Sequence, residues 1–463
     1  MPGRANVAAR ARPATPCRKL RSIARASPLR SGTFVSNRRH PEGRIAQASP
    51  GAAPRCAGWL ADWRRRGRGA RVAAARRGEA DVADVSWKEP AARATARLTA
   101  LAASLPASVP FVGPETQERA RGAAFRARLG ANESVFGPSP RAVAAMAEAA
   151  AGAWMYGDPE GWELRAAIAA YHGVAMASVT LGEGIDGLLG CLVRLTVAPG
   201  DPVVTSHGAY PTFGYHVTGF GGVLHAAPYR DDAEDPEALL ALARATGARL
   251  VYLANPDNPM GSWRSAAEVQ ALAAGLPEGA VLCLDEAYAD FAPAGVVPPL
   301  DMAEARVIRM RTFSKAHGLA GARVGYALGE PGLIAAFDRV RNHFGVNRIG
   351  QAGALAALAD AGWLAHVRAE VAAARARIAA IAAAEGLAAL PSATNFVAVD
   401  CGRDGDFARA VLRGLVERGV FVRMPFVAPQ DRCIRVSAGR PADLDVLAEV
   451  LPQALAAARV SAG

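Results

Sequence analysis

Aromatic residues make up only 6% of the 463 positions, and charged residues only 21%. The Ala-rich stretches are broken at short intervals by Arg, Glu or Asp, so no run reaches the roughly 18 apolar residues a membrane span needs. A membrane protein is therefore not expected. The six cysteines (Cys17, Cys56, Cys191, Cys283, Cys401 and Cys433) include no CxxC pair and no spacing that suits a metal ion. That excludes a disulfide scaffold and a zinc module, assigns no metal, and fits structural thiols in the reducing cytoplasm. No internal repeat is visible, and composition rules out collagen-like and wholly disordered chains. What remains is a chain with 51% hydrophobic residues, long enough for about two or three domains around a large core.

The net charge of +11 is unevenly placed. Residues 1–90 carry 18 Arg and 2 Lys against 6 acidic residues, and no acidic residue precedes Glu42. The other residues hold 33 basic and 36 acidic side chains, so a nucleic-acid-binding surface is not expected on the body. Residues 1–90 show neither helical nor strand periodicity, and disorder is expected there. An Arg-rich transit peptide, a basic arm through Arg64, Arg65, Arg66 and Arg68, or an over-extended gene start would each account for them. The Ala- and Arg-heavy composition favours the last, with a true start near Val82 or Val85.

From about Ala91 the texture becomes ordered. Short apolar runs at Pro202–Ser206, Leu250–Ala254, Ala280–Asp285, Arg306–Arg311 and Arg323–Leu328 alternate with amphipathic segments such as Pro236–Ala245 and Ser265–Ala274. This predicts an α/β fold: a large domain with a mostly parallel sheet covered by helices on both faces. After about Val346 come a long Ala-rich helix, Trp363–Glu385, strands at Asn395–Asp400, Val420–Met424 and Cys433–Ser437, and a last helix near Ala442–Ala457, which read as a smaller α+β domain. The expected division is a tail at 1–90, an N-terminal arm with part of the small domain at 91–145, the large domain at 146–345, and the small domain at 346–463.

In open α/β sheets, chemistry gathers beyond the carboxyl ends of the strands. Polar residues stand at these ends here. Lys315 follows a strand and precedes a Gly/Ala-rich turn, where a long cation has no packing role; a desolvated lysine can condense with an aldehyde. Thr312, Ser314 and Arg323 around it are donors that suit a phosphate. Asp285 ends a buried strand, where a carboxylate is costly unless it meets a cation such as a protonated pyridine nitrogen. Asn258 lies in a turn stiffened by two prolines, and Gly182–Asp186 opens an apolar helix whose backbone N–H groups can hold an anion. Each segment alone also suits a plain turn or helix start.

Together, in this order, they resemble the fold type I pyridoxal-phosphate-dependent aminotransferases, and within them the histidinol-phosphate aminotransferase-like group. The resemblance spans roughly residues 105–455. Its carriers are Leu-Gly-Ala-Asn-Glu-Ser-Val-Phe-Gly-Pro-Ser-Pro at 129–140, Tyr-Gly-Asp-Pro-Glu-Gly at 156–161, Gly-Glu-Gly-Ile-Asp at 182–186, Tyr-Pro-Thr-Phe at 210–213, Asn255–Gly261, Asp285–Tyr288, Thr312–Arg323, and Arg-Val-Ser-Ala-Gly at 435–439. The resemblance implies that pyridoxal 5'-phosphate is bonded to Lys315, which also moves the proton between substrate and cofactor. Asp285 would keep the ring nitrogen protonated, Asn258 and Tyr288 would hold the ring hydroxyl, and Phe213 would stack on the ring. Thr312, Ser314, Arg323 and the backbone of Gly184, Ile185 and Asp186 would hold the phosphate. Tyr156 would reach the cofactor phosphate of a neighbouring subunit, implying a homodimer. Arg435 would bind the acidic end of the substrate.

Departures from the family pattern cluster at the substrate side. Phe136, expected to line the substrate mouth, lies in Asn132–Phe136, which replaces the usual Asn-Glu-Asn-Pro-aromatic run. Met260 stands for the usual Thr, Gly187 for a common acidic residue, and His317 follows the lysine where an aromatic or aliphatic residue is usual. His317 is expected to be packed rather than catalytic. Asn347, with Arg341 and Arg348, could favour a phosphate or second carboxylate near the domain junction. The expected activity is ping-pong transfer of an amino group from a small-molecule donor to a 2-oxo acid, histidinol phosphate being one donor. A decarboxylase of a phosphorylated amino acid would need the same lysine, aspartate and phosphate cup. A regulator with an aminotransferase-like domain would need a helix-turn-helix ahead of the body, and residues 1–90 lack the apolar periodicity for one.

Overall fold

The computed structural model describes residues 97–106 and 111–461, all within one compact unit, Asp84–Gly463. The disorder expected for residues 1–90 lies outside the described residues.

Twelve strands follow in chain order: β1 (Ala127–Arg128), β2 (Val179–Gly182), β3 (Pro202–Ser206), β4 (Val223–Ala227), β5 (Leu250–Ala254), β6 (Val281–Asp285), β7 (Val307–Thr312), β8 (Gly325–Leu328), β9 (Ala388–Ala389), β10 (Phe396–Asp400), β11 (Val420–Phe421) and β12 (Cys433–Ser437). Seven form one sheet in the order β2-β8-β7-β6-β5-β3-β4. The pairings from β7 to β4 are parallel, and β8 runs antiparallel to both β2 and β7.

β5 reads Leu-Val-Tyr-Leu-Ala with every residue buried, as expected for a strand covered on both faces. Its side chains alternate between two cores. Tyr252 joins Leu188, Leu189, Leu192 and Val193 of the helix Gly184–Thr196 on one face. Val251 and Leu253 join Leu239, Val269 and Leu272 of the helices Pro236–Thr246 and Ala266–Gly275 on the other. Those two helices start where the sequence permits. Asp235 caps the first just ahead of Pro236, and Ser265 with Glu268 forms a capping box on the second.

A second layer of helices, Pro140–Ala150, Trp162–His172 and Arg348–Leu358, surrounds Val179, Leu181 and Tyr326 at the β2–β8 end of the sheet. The three-stranded sheet β12-β10-β9 is antiparallel and packs with the helices Ala361–Ala384, Gly405–Glu417 and Pro441–Ser461. The segment after β1 is drawn into this region. β1 pairs with β11, and Leu129 bonds through its backbone to Phe421 and Ser437, both at 2.7 Å.

Three features differ from the sequence expectation. β2 and β4, at the two edges of the large sheet, carry too little contiguous apolar sequence to stand out; Val223 and Leu224 of β4 are exposed. The strand expected at Val420–Met424 is only two residues long. Beyond it Arg423 makes a single bridge to Arg435, and Pro425 has no N–H with which to extend a ladder. The helix Arg348–Leu358 was not anticipated either.

One consequence of the topology decides the rest. β5, β6 and β7 end at one edge of the sheet, and reversed β8 begins there. Asn255, Asp285, Thr312 and Arg323 are thereby delivered to the same place. Among the described residues, no helix is long and apolar enough to cross a membrane and no cluster suits a metal ion.

Candidate active site

A cavity of about 340 Å³ opens at this edge. Asp285, the last residue of β6, lies on its floor and is only 5% exposed. Its carboxylate accepts hydrogen bonds from the Tyr252 hydroxyl at 2.8 Å and from the Ala287 N–H at 2.9 Å. Among the described residues, no ion pair involves it. Burial pushes its pKa up to about 6, against the pull of those two donors. Lys315 projects into the same space from the turn after β7. Its Nζ donates to the backbone carbonyl of Asn132 at 3.1 Å and lies 5.7 Å from the centre of the Tyr288 ring. Burial, reinforced by the nearby Arg435 charge, lowers its pKa to about 8.

Beside Lys315 the turn is tied by short polar contacts. The Thr312 hydroxyl donates to Ser314 Oγ at 2.9 Å and accepts from the Ser314 N–H at 3.0 Å. Arg323 sits at φ 57° just before β8, which swings its guanidinium back to the Glu183 carbonyl at 3.2 Å and to Asp186 at 3.6 Å. Gly184, at φ 73°, opens the facing helix; a Cβ there would lie 2.6 Å from the guanidinium. Gly325 is equally constrained, since its Cβ would stand 2.8 Å from the Gly184 carbonyl carbon. Ile185 and Asp186 line the cavity above this point, and the Tyr210 hydroxyl donates to Asp186 at 2.9 Å.

The outer end has a different chemistry. A second cavity of about 230 Å³ shares Tyr210, Asn258 and Lys315 with the first and adds Asn132, Arg423 and Arg435. Arg435, on β12, donates to the Asn258 side-chain oxygen, and its guanidinium carbon lies 5.2 Å from the Phe396 ring centre. Among the described residues, its buried Nε has no hydrogen-bond partner. Burial, with the neighbouring Arg423 charge, lowers its pKa to about 10. Asn132 knits the floor together. It is 3% exposed, donates to the Tyr288 hydroxyl at 3.1 Å, and accepts from Ser437 Oγ at 3.1 Å.

The structure thus brings together Asp285, Tyr288, Asn258, Thr312, Ser314, Lys315, Arg323, Gly184, Ile185, Asp186 and Arg435. Three expected residues, Phe213, Phe136 and Asn347, lie elsewhere. Phe213 is wholly buried with its ring stacked on Tyr252, centroids 4.5 Å apart, so the aromatic facing the cavity here is Tyr210 instead. Phe136 packs against the hydrophobic core of the C-terminal layer, away from the cavity wall. Asn347 caps the helix Arg348–Leu358 by accepting from the Gly350 N–H at 2.7 Å, which commits its side chain to the backbone. Tyr156 is 76% exposed, outside the cavity of its own chain, with its ring against Phe344. Arg341 bonds Asp338 and the Pro159 carbonyl, and Arg348 bonds the Tyr156 carbonyl. His317 is packed beside the Phe313 ring, as expected.

Sequence reasoning missed Asn132, Tyr210, Tyr252 and Arg423 as site residues. One unused signal was strong: the chain has three lysines, Lys19, Lys88 and Lys315. In so Arg-rich a protein, a lysine at the end of a strand is a choice of chemistry over mere charge.

The family model "Aminotransferase class I and II" matches residues 127–451. Histidinol-phosphate aminotransferase 1 of Mesorhizobium japonicum is 38% identical over 336 residues, 71% of this chain and 90% of that protein. Histidinol-phosphate aminotransferase of an Anaeromyxobacter species is 40% identical over 326 residues, 69% and 89% of the two chains. Among solved structures, histidinol-phosphate aminotransferase from Sinorhizobium meliloti, in complex with pyridoxal-5'-phosphate, is 55% identical with a TM-score of 0.76, covering 78% of this chain and 98% of that one. Aspartate aminotransferase from Thermus thermophilus, at 23% identity and TM-score 0.64 over 73% and 93% of the chains, shares the fold. Fold and site together define a pyridoxal-phosphate-dependent transaminase of fold type I, taking an amino donor and a 2-oxo acid. The chain belongs to the class I and II aminotransferases, in the histidinol-phosphate aminotransferase-like group.

Proposed function

We propose that this transaminase takes its amino group from histidinol phosphate and passes it to a 2-oxo acid, working as a homodimer in the cytoplasm. The observation that carries the donor assignment is the paired guanidinium groups of Arg435 and Arg423 at the cavity mouth with Lys315. The Arg323 cup is separate from them, so the site has one cationic pole for a cofactor phosphate and another for a phosphorylated donor.

The inner residues fit pyridoxal phosphate. Asp285 is a buried carboxylate lacking a cation, and a protonated ring nitrogen would supply one. Thr312, Ser314, Arg323 and the helix start at Gly184–Asp186 would hold the phosphate, with Gly184 keeping the cradle open. Asn258 and Tyr288 would hold the ring hydroxyl, and Tyr210 takes the stacking role in place of Phe213. When bound, the cofactor supplies an aldehyde and an electron-withdrawing ring that stabilises negative charge at the donor carbon. Lys315 Nζ would anchor the cofactor and, with a pKa near neutrality, carry the proton on and off that carbon. Asn132 orients both Lys315 and Tyr288.

Tyr156 is exposed, as are Trp154 and Trp162, and its ring lies against Phe344; a second copy covering Tyr156 would bring it to that copy's cofactor phosphate. The free thiols Cys191, Cys283, Cys401 and Cys433 suit a reducing cytoplasm. The deciding assay incubates holoenzyme with histidinol phosphate and 2-oxoglutarate. Glutamate should form, and histidinol without its phosphate should be used at least about a hundredfold less efficiently, the scale of a lost charged contact. Release of carbon dioxide from a phosphorylated amino acid, with no need for a 2-oxo acid, would point to the decarboxylase instead.

A further inference from the structure

Behind the cavity wall lie two carboxyl groups with no part in the chemistry above. Glu234 is 2% exposed and Asp257 is 1% exposed. Each accepts only from neutral donors. Glu234 takes the Ser206 hydroxyl at 2.6 Å and the Ala254 N–H at 3.0 Å. Asp257 takes the Tyr229 hydroxyl at 3.0 Å and the Met260 N–H at 3.0 Å. Among the described residues, neither forms an ion pair. Arg264 bonds the backbone carbonyl of Glu234 at 2.6 Å and leaves its carboxylate alone. Asp257 lies three residues beyond Ala254, whose N–H Glu234 holds, so the two carboxyls are neighbours and act on each other electrostatically. Two such groups, buried together without a cation, cannot both ionise at reasonable cost, so a proton stays between them.

Their place gives the pair a use. Asp257 is next to Asn258, whose side chain receives Arg435, and its charge and that of Arg435 act on each other. Among the described residues, the other titratable groups that feel the pair include the hydroxyls of Tyr229 beyond β4, Tyr252 on β5 and Tyr288 after β6, all pushed up by burial and therefore neutral. Among the described residues, the buried Nε of Arg435 has no partner, so the guanidinium has a donor left for an anion.

We propose that Glu234 and Asp257 act as one proton-sharing positioning unit behind Asn258 and Arg435, and that an anion binding at Arg435 draws one further proton from solvent onto the pair. Before binding, the residual negative charge of the pair helps to hold Arg435. Once an external anion sits on Arg435 that charge becomes repulsive, and protonation removes it. Burial raises both acids, Asp257 to about 7, which puts the event within the working range. By linkage, anion affinity falls as pH rises through the pair's titration, by up to about tenfold for each unit by which the anion raises the pKa.

The inference rests on Arg435 being the anion-gripping residue, and the test separates the two. Sulfate, which carries no exchangeable proton near neutral pH, is titrated into holoenzyme by calorimetry at pH 6 and pH 8. Each titration is repeated in buffers of different ionisation enthalpy to count protons. Wild type should take up a fraction of a proton and bind sulfate more weakly at pH 8. The double variant Glu234→Gln/Asp257→Asn, neutral at every pH, should lose that uptake and bind sulfate at least about threefold more tightly than wild type at pH 8, with little difference at pH 6. Glu234→Gln alone can still donate to Asp257 and should move the pH dependence downward. If the double variant instead binds more weakly at both pH values with an unchanged slope, the pair is merely structural. If that variant does not fold, a wild-type proton count near zero overturns the proposal by itself. Arg435→Ala is the control. Undiminished sulfate binding there would remove the anion role of Arg435, whereas lost binding combined with an unaltered profile in the double variant would remove only the role of the acid pair.

Discussion

At the inner end of the cavity, Asp285, Thr312, Ser314, Lys315 and Arg323 come from two neighbouring strands and the turn that follows, all within residues 285–323. At the mouth, Asn132, Asn258, Arg423 and Arg435 come from four separate segments between residues 132 and 435. The inner end is set by the register of one sheet, by a backbone contact too close for any Cβ at Gly325, and by the seat of the Arg323 guanidinium against Gly184. The mouth is held by contacts that cross between structural layers: β1 threaded beside β11, Asn132 bonded to Ser437, and Arg435 bonded to Asn258. An arrangement of this kind makes cofactor binding robust and leaves donor choice to residues that can vary separately.

The sharpest way to break this division is Arg435→Ala. Catalytic efficiency with histidinol phosphate should fall by about two to three orders of magnitude, the scale of removing one partner of a desolvated charge pair, while the cofactor absorbance stays that of wild type. Arg435→Lys should recover only part, because an ammonium cannot reproduce the planar fork. Loss of cofactor from either variant would mean that the two ends are not independent. Arg423→Ala should have a smaller effect, about tenfold, and should fall more heavily on phosphorylated than on unphosphorylated donors. Its guanidinium is already committed to the Val112 carbonyl at 2.7 Å, which limits what it can give a substrate. Equal losses on both kinds of donor would remove it from the phosphate pole.

At the inner end the expected effect is one of pH. Burial pushes the Asp285 carboxyl up to about 6, against about 3.9 for an unperturbed aspartate, so the folded state holds the extra proton between those values. The contribution of this residue to stability is therefore fully present below the lower value and is lost as pH rises through the upper one. A protonated ring nitrogen would relieve the loss. The gap in melting temperature between holoenzyme and apoenzyme should widen by a few degrees, on the order of one protonation event, from pH 5 to pH 7, and Asp285→Asn should abolish the widening. A constant gap would show that Asp285 does not meet a cation. The smallest effect is expected from residues 1–90: a chain beginning at Ala91 should match the full-length protein in melting temperature and turnover. A clear loss of either would give the Arg-rich segment a role that its composition does not announce.

The same contrast explains what could be read in the sequence. Lys315, Asp285 and Asn258 were legible because each stands at or just beyond the end of an apolar strand, and Arg323 because it stands just before one begins, where a polar side chain has no packing reason to be. The large sheet was legible from its buried runs, except for its edges, where exposed β4 offers no such run. Phe213 was misplaced because Tyr-Pro-Thr-Phe contains two aromatics, and only the start of the helix Pro211–Gly219 decides which one turns inward under Tyr252. Asn347 read as a free polar group because capping depends on where a helix begins, and that helix was not foreseen. Arg423 and Asn132 owe their places to long-range pairing with β12 and with the segment beside β11, which no local pattern encodes.

The central claim is that one lysine anchors the cofactor and moves the proton. Holoenzyme reduced with borohydride, digested and mapped should carry the pyridoxyl label on the peptide containing Lys315. With Lys19 and Lys88 as the only other lysines, the assignment is unambiguous. A label on Lys315, absent from Lys315→Ala along with turnover, is the predicted result. A label on Lys19 or Lys88, or none on folded yellow enzyme, would contradict the account at its base.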